Sequence, residues 1–225
     1  MQVRSNMTIE KHTLDNGLTV MLKESRHAPV TTFWIWYRVG SRNELPGVTG
    51  IAHWAEHMLF KGSAAFPKGE IDTQIARNGG VMNGLTWLDF TTFFETLPAD
   101  RIDLGLRIES DRMVNAAFDP EEVALERNVI ISERQGSENE PTFLLSEELV
   151  GAAFRVHPYH HTTIGDMCDL ETITREELWH HYQTHYGPDN AIAVAVGDFD
   201  SPEMLARIEE LFGPIPARSN PPEVC

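Results

Sequence analysis

The stretch GIAHWAEHMLFKG, residues 50–62, sets His53, Glu56 and His57 into an otherwise apolar run. Ile51, Ala52, Trp54, Ala55, Met58, Leu59 and Phe60 surround them, so a helix here is apolar on several sides and has to be buried. Residues four apart stand one above the other on a helix, which brings the His53 and His57 imidazoles together with Glu56 close to the same face. Two imidazoles and a carboxylate on a buried helix need partners. A metal supplies one. Zinc suits two imidazoles and a carboxylate, keeps a fourth position for water, and lowers the pKa of that water to roughly 7, where a carboxylate that is not a ligand can take its proton. Glu56 is assigned that role, because as a ligand at this spacing it would compete with the imidazoles for space. The bland alternative is a helix with ordinary core or surface histidines; the H-x-x-E-H spacing within an apolar segment weighs against it.

A third protein ligand then belongs on a neighbouring element. The helix expected from Pro120, with Asp119 as N-cap and acids in its first turn, carries Glu126 and Glu133 seven residues apart, two turns less about 20°. Both project between Val129 on one side and Ile130 and Val123 on the other, inside an apolar arc and away from Glu121 and Asn128. Carboxylates aimed at a core are rarely left unpaired, so the choice lies between metal-site membership and ion pairs with Arg127 or Arg134. The spacing does not choose between Glu126 and Glu133.

The remaining pattern is read as follows. TLDNGLTVMLKES is a hairpin turned at Asn16-Gly17. TTFWIWYRVGS is strongly β-prone. Gly47 to Lys61 reads as helix with Gly62 as its stop, GEIDTQIARNGG as a shorter helix, and VMNGLTW with FTTFFETLP as a strand pair. Helices follow over PADRIDLGLRIESDRMVNAAF, DPEEVALERNVIISERQGS, SEELVGAAF and TREELWHHYQTHYG, the last capped by Thr174. NAIAVAVGDF is a buried strand and SPEMLARIEELFG a final amphipathic helix. The expected class is α+β, one mainly antiparallel β-sheet backed by helices.

The 225 residues suffice for one large domain or two small ones. The expected division is a short native or appended tail over 1–6, a domain over 7–213, and the start of an interdomain linker over 214–225, where PIPARSNPPEVC packs nothing obvious. Eighteen basic against 34 acidic side chains give a formal charge of −16, which disfavours nucleic acid and anionic membranes and would attract cationic partners such as basic peptides; the bland reading is that acidity keeps a protein soluble, and charge alone decides little. Cys168 and Cys225 are too few for a disulfide framework. With no eighteen-residue apolar run and no secretory core in MQVRSNMTIEKH, the expected location is cytoplasmic, with periplasm or mitochondrial matrix open.

GIAHWAEHMLFKGS, GGVMNGLTWLDFTTFFETLP and ERNVIISER together resemble the pitrilysin-type (insulinase-type) zinc metallopeptidases, the H-x-x-E-H inverzincins, which include insulin-degrading enzyme, the mitochondrial processing peptidase and bacterial relatives. The likeness runs from DNGLTV to the final helix. It implies that His53, His57 and Glu133 bind Zn2+, that Glu56 is the general base of a metalloendopeptidase acting on extended or unfolded peptides, and that Glu126 is a supporting carboxylate holding His57 or a water. It also implies that a peptide substrate adds as a strand beside VMNGLTW, with Asn83, Gly84 and Leu85 as contacts; the bland reading of Asn83-Gly84 is a bulge or turn. The family usually has a small side chain where Gly84 stands and often Tyr where Phe93 stands. Its enzymes are built from paired homologous halves, so this chain resembles the N-terminal zinc-bearing half. A homologous C-terminal half, or a separate subunit as in a dimer, would supply an Arg/Tyr pair to the substrate, and the isolated half would be weakly active or inactive. The alternative is a non-catalytic peptide-binding or scaffold subunit. His157, His160 and His161, and likewise His180, His181 and His185, are assigned surface or packing roles.

Overall fold

Asn16 and Gly17 reverse the chain between two antiparallel strands, β1 (Glu10–Thr13) and β2 (Thr19–Glu24), with Gly17 at φ +91°. The Asn16 amide donates to the carbonyls of Phe212 and Ile215, so this turn is tied to the far end of the chain. A computed structural model gives these details and describes residues 8–218. The expected tail over 1–6 and the last seven residues of the expected linker lie outside the described residues.

Four more strands complete one sheet: β3 (Val30–Tyr37), β4 (Val81–Thr86), β5 (Thr91–Pro98) and β6 (Ala191–Gly197). Their order is β1-β2-β6-β3-β5-β4. Only β2 and β6 run parallel; the other pairings are antiparallel, and the class is α+β as expected. β6 enters last and sits in the middle, buried at every second residue. β4 is an edge strand.

Strand alternation decides which face is covered. Phe33, Ile35 and Tyr37 of β3, Phe93 and Leu97 of β5, and Ala193 and Ala195 of β6 are buried on one face. Helices cover that face: α1 (Ile51–Met58), α3 (Asp103–Asn115), α7 (Arg175–His185) and α8 (Ser201–Phe212), with Trp54, Leu106, Tyr182 and Phe212 among the fully buried side chains. The opposite face is half-buried and carries Trp34 stacked on Phe94 at 4.3 Å and Trp34 beside Trp36 at 5.6 Å. The remaining helices are α2 (Glu70–Arg77), α4 (Pro120–Glu138), α5 (Pro141–Ala153) and α6 (Met167–Thr172). Among the described residues no helix is long and apolar enough to cross a membrane.

Four local expectations change. The helix expected over SEELVGAAF starts earlier, at Pro141, and ends at Ala153. The helix read over Gly47–Lys61 shrinks to Ile51–Met58, because Gly47 and Gly50 take φ of +96° and +89° and the chain beyond Met58 tightens into turns bonded three residues back. α6 was not expected; its six residues are too few to show a period. The start of the expected linker packs on the domain. Ile215 joins the core, Arg218 donates to the carbonyls of Tyr182 and Met113 at 2.7 Å each, and its guanidinium lies 4.6 Å from the Tyr182 ring centre.

Candidate metal centre

α1 packs against α4, α7 and β4, and that junction makes the site. Its apolar residues are buried as the pattern demands, leaving the motif side chains on the edge that faces α4 and an open cleft. The Nε2 atoms of His53 and His57 lie 3.2 Å apart. Oε2 of Glu133, reaching over from α4, is 3.9 Å from the first and 3.7 Å from the second. A point equidistant from these three atoms lies about 2.1 Å from each, the length of a zinc bond to imidazole nitrogen or carboxylate oxygen. The donor set and its spacing fit a zinc ion, and among the described residues these three form the group of metal-ligating side chains close enough to share one.

The protonation pattern suits the same ion. Nδ1 of His57 lies 2.9 Å from Oε1 of Glu126. A carboxylate only accepts, so Nδ1 is the donor in this contact, and Nε2 is the nitrogen left to face a metal. Burial, aided by neighbouring His57, holds His53 on the neutral side with a pKa of about 4. Glu126 is itself pinned by Lys61, whose Nζ is 2.5 Å from Oε2. Burial alone would raise the Glu126 carboxyl, but the hydrogen bonds from Lys61 and His57 outweigh it and hold the group below the ordinary range.

Glu56 is buried beside His57, and its Oε2 accepts from the Thr86 hydroxyl at 3.3 Å. Burial pushes its carboxyl above the usual range, with His57 and Thr86 pulling the other way. A carboxylate shifted upward is better matched to proton transfer near neutral pH.

Two placements differ from the helical-wheel reading. Glu126 does face inward, but Glu133 is exposed, as is Val129, which was read as one wall of the apolar arc. That side of α4 opens onto the cleft instead of onto packed neighbours. Neither glutamate pairs with the arginines considered. Arg134 binds Glu138 and Glu147, while Arg127 donates to the carbonyls of Leu170 and Ile173.

The cleft, about 560 Å³, is lined by His53, Thr86, Glu133, Gly136, Ser137, Glu140, Thr163 and Ile164. β4 runs beside it. Asn83 and Gly84 stand opposite Phe94 and Phe93 in unbroken register, so they form neither bulge nor turn. Asn83 and Leu85 are exposed, whereas Gly84 lies against the motif helix. A Cβ on Gly84 would stand 2.6 Å from Glu56 Oε1 and 2.9 Å from the Phe60 ring, so a side chain there requires Glu56 to turn. Phe93 packs on Phe60 at 5.5 Å, away from the three ligand atoms.

The other histidines stand apart from this centre. His181 and His185 are buried with ring centres 4.7 Å apart, and His161 is buried against Glu44. His157 and His160 are surface residues of a turn. Sequence reading passed over Lys61 and Thr86, although each had a signal. Lys61 is one helical turn beyond His57, and Thr86 shares a strand face with Gly84.

The fold and this three-donor cluster define an α+β domain with a candidate metal centre. The insulinase (peptidase family M16) profile matches residues 19–167, and the profile described as the peptidase M16 inactive domain matches 172–225. The chain belongs to the insulinase family, peptidase family M16. It is 34% identical over 205 residues to "Zinc protease PqqE" of Helicobacter pylori, covering 90% of this chain and 46% of that protein. It is 30% identical over 200 residues to "Probable mitochondrial-processing peptidase subunit beta" of Arabidopsis thaliana, covering 89% and 38%. The crystal structure of a protease from Helicobacter pylori superposes with a TM-score of 0.94 at 32% identity, covering 97% of this chain and 53% of that one. The periplasmic protease PqqL from Escherichia coli gives 0.87 at 26%, covering 99% and 26%. The chain therefore spans half or less of the length of most of these relatives.

Proposed function

We propose that this chain is the metal-bearing part of a zinc endopeptidase that hydrolyses peptide bonds in extended or unfolded peptides. The observation that carries the reading is the meeting of two imidazole nitrogens and a carboxylate oxygen within 3.9 Å of one another, beside a buried glutamate and an open strand edge. His53, His57 and Glu133 would hold the metal, with Glu126 and Lys61 keeping the His57 ring turned. When bound, zinc supplies a Lewis acid that polarises the scissile carbonyl and acidifies water. Glu56 takes the proton of the attacking water and delivers it to the leaving amine. Thr86 steadies the Glu56 carboxylate. The backbone of Asn83, Gly84 and Leu85 offers its free edge to the substrate as an added strand, and the absent Gly84 side chain lets that strand lie directly against Glu56.

A homologous C-terminal half or a separate subunit completes this site with an Arg/Tyr pair. Relatives carrying the words zinc protease and mitochondrial-processing peptidase in their names support a proteolytic role. The test compares Glu56→Gln with the parent, in the protein joined to its partner half, against a panel of unfolded peptides at equal zinc content. We expect turnover to fall at least about a hundredfold, the lower end of the range for loss of a general base. Equal turnover removes Glu56 from the mechanism. Peptide binding without turnover in the parent favours the non-catalytic subunit.

A further inference from the structure

α1 has no capping side chain of its own, since its N-cap is Gly50. The N–H groups of Gly50 and Ala52 donate instead to Oε2 and Oε1 of Glu44, at 2.8 and 2.9 Å. A buried carboxylate six residues ahead of the helix thus does what Ser or Asp does at an ordinary N-cap, and it places acceptor oxygens at the positive end of the helix dipole.

The same turn is gripped from its other side. Thr49 donates from N and Oγ1 to Oδ2 of Asp169, at 2.9 and 2.7 Å, and its hydroxyl accepts from Asp166 N at 2.9 Å. Backbone meets backbone between these bonds. A Cβ on Gly50 would fall 2.5 Å from the Ile164 carbonyl oxygen, and one on Gly165 would fall 2.3 Å from that of Thr49. Thr163 and Ile164, held between the anchor points, line the cleft beside His53 and Glu133.

The two histidines depend on this arrangement unequally. His57 lies deeper in the helix and is oriented by Glu126. His53 sits in the first turn, where helices fray unless capped, and its buried Nδ1 has no hydrogen-bond partner among the described residues. Its orientation therefore rests on where the helix begins.

We propose that Glu44, Thr49 and Asp169 are positioning residues of the metal centre: they set His53 against His57 and Glu133 and hold the Thr163–Ile164 wall of the cleft in place. The inference rests on the metal-site reading above. Ligand constellations need supporting contacts to within about 0.5 Å, and these are the contacts that fix the start of α1.

The test titrates zinc into the whole protein against a chromophoric chelator and records the visible d–d spectrum with cobalt(II) in place of zinc. Glu44→Gln keeps the shape but leaves one acceptor oxygen for two N–H donors. We expect about tenfold weaker zinc binding and an altered cobalt spectrum, in line with the effect of losing an outer contact. Asp200→Ala, which removes the cap of α8, a helix packed on α3 and β2, is the control: it lowers thermal stability and leaves affinity and spectrum as in the parent. Should Glu44→Gln fail to fold, Thr49→Val, which deletes only the hydroxyl's bonds, is expected to weaken zinc in the same way. Parent-like affinity and spectrum in a folded Glu44→Gln or Thr49→Val protein overturn the proposal. If His57→Ala binds zinc as the parent does, it is the metal-site reading that has failed.

Discussion

Glu126 is the best place to perturb the centre without touching a ligand. Its side chain is 6% exposed and accepts two bonds, from His57 Nδ1 at 2.9 Å and from Lys61 Nζ at 2.5 Å. In Glu126→Gln one oxygen remains, so either the imidazole or the ammonium faces an amide NH2 at a buried position. Losing such an outer partner typically weakens metal binding about 10–100-fold, or about 1.4–2.8 kcal/mol. Competition with a chromophoric chelator reads this directly. Lys61→Met should act in the same direction and less, because His57 keeps its partner. The metal-free parent carries a pH signature as well. The folded state holds the Glu126 carboxyl below its ordinary value, so its contribution is present above about 4.5 and is lost as pH falls through the depressed value. Glu126→Gln removes that acid sensitivity. Parent affinity for zinc in a folded Glu126→Gln protein would refute the idea that this carboxylate orients His57.

Three further outcomes follow from the packing. Glu95 and Glu109 are fully buried around Arg112, whose guanidinium is 2.9 Å from Glu109 and lies over the rings of Phe60 and Phe93 at 4.8 and 4.6 Å. Burial, then Glu109, pushes the Glu95 carboxyl well up, with Arg112 opposing. The folded state therefore keeps a proton that the unfolded chain releases above about 4.5, and stability falls as pH rises from there. Glu95→Gln should raise Tm, by more at about pH 8 than at about pH 5; a lower Tm at both contradicts this. Arg218→Ala should cost about 1.5–3 kcal/mol in urea unfolding, for two charge-assisted bonds to buried carbonyls, and a change below about 0.5 kcal/mol would show that the chain past Ile215 adds nothing. Removing zinc from the loaded protein should lower Tm, by about 2.7 kcal/mol of stability when the free ion stands at a hundred times its dissociation constant; His57→Ala should abolish that difference.

Much of the architecture was legible because it depends on short-range periodicity. The four-residue spacing of His53 and His57, the Asp119-Pro120 helix start, the Thr174 cap and the β-prone or apolar runs that became β3 and β6 each declare themselves within a few residues. What was hidden depends on crossings between distant elements. A helical wheel gives the direction of Glu133 but not whether anything covers it, and here that side of α4 opens on a cleft. Glu44 gives no sign of capping α1, because the loop between them must fold back before its carboxylate reaches Gly50 and Ala52. The tail around Ile215 and Arg218 read as linker because prolines suppress periodicity, while its anchors lie on α3 and α7, far back in the sequence.

The central claim is that His53, His57 and Glu133 share one zinc ion, and the anomalous-scattering map at the zinc edge from crystals loaded with one equivalent tests it most directly. The account predicts a single peak about 2.0–2.2 Å from both Nε2 atoms and one Glu133 oxygen, with Glu56 beside it and unligated. A peak held by Glu126 or Glu56 in place of Glu133, or one on His180, His181 and His185, would contradict it.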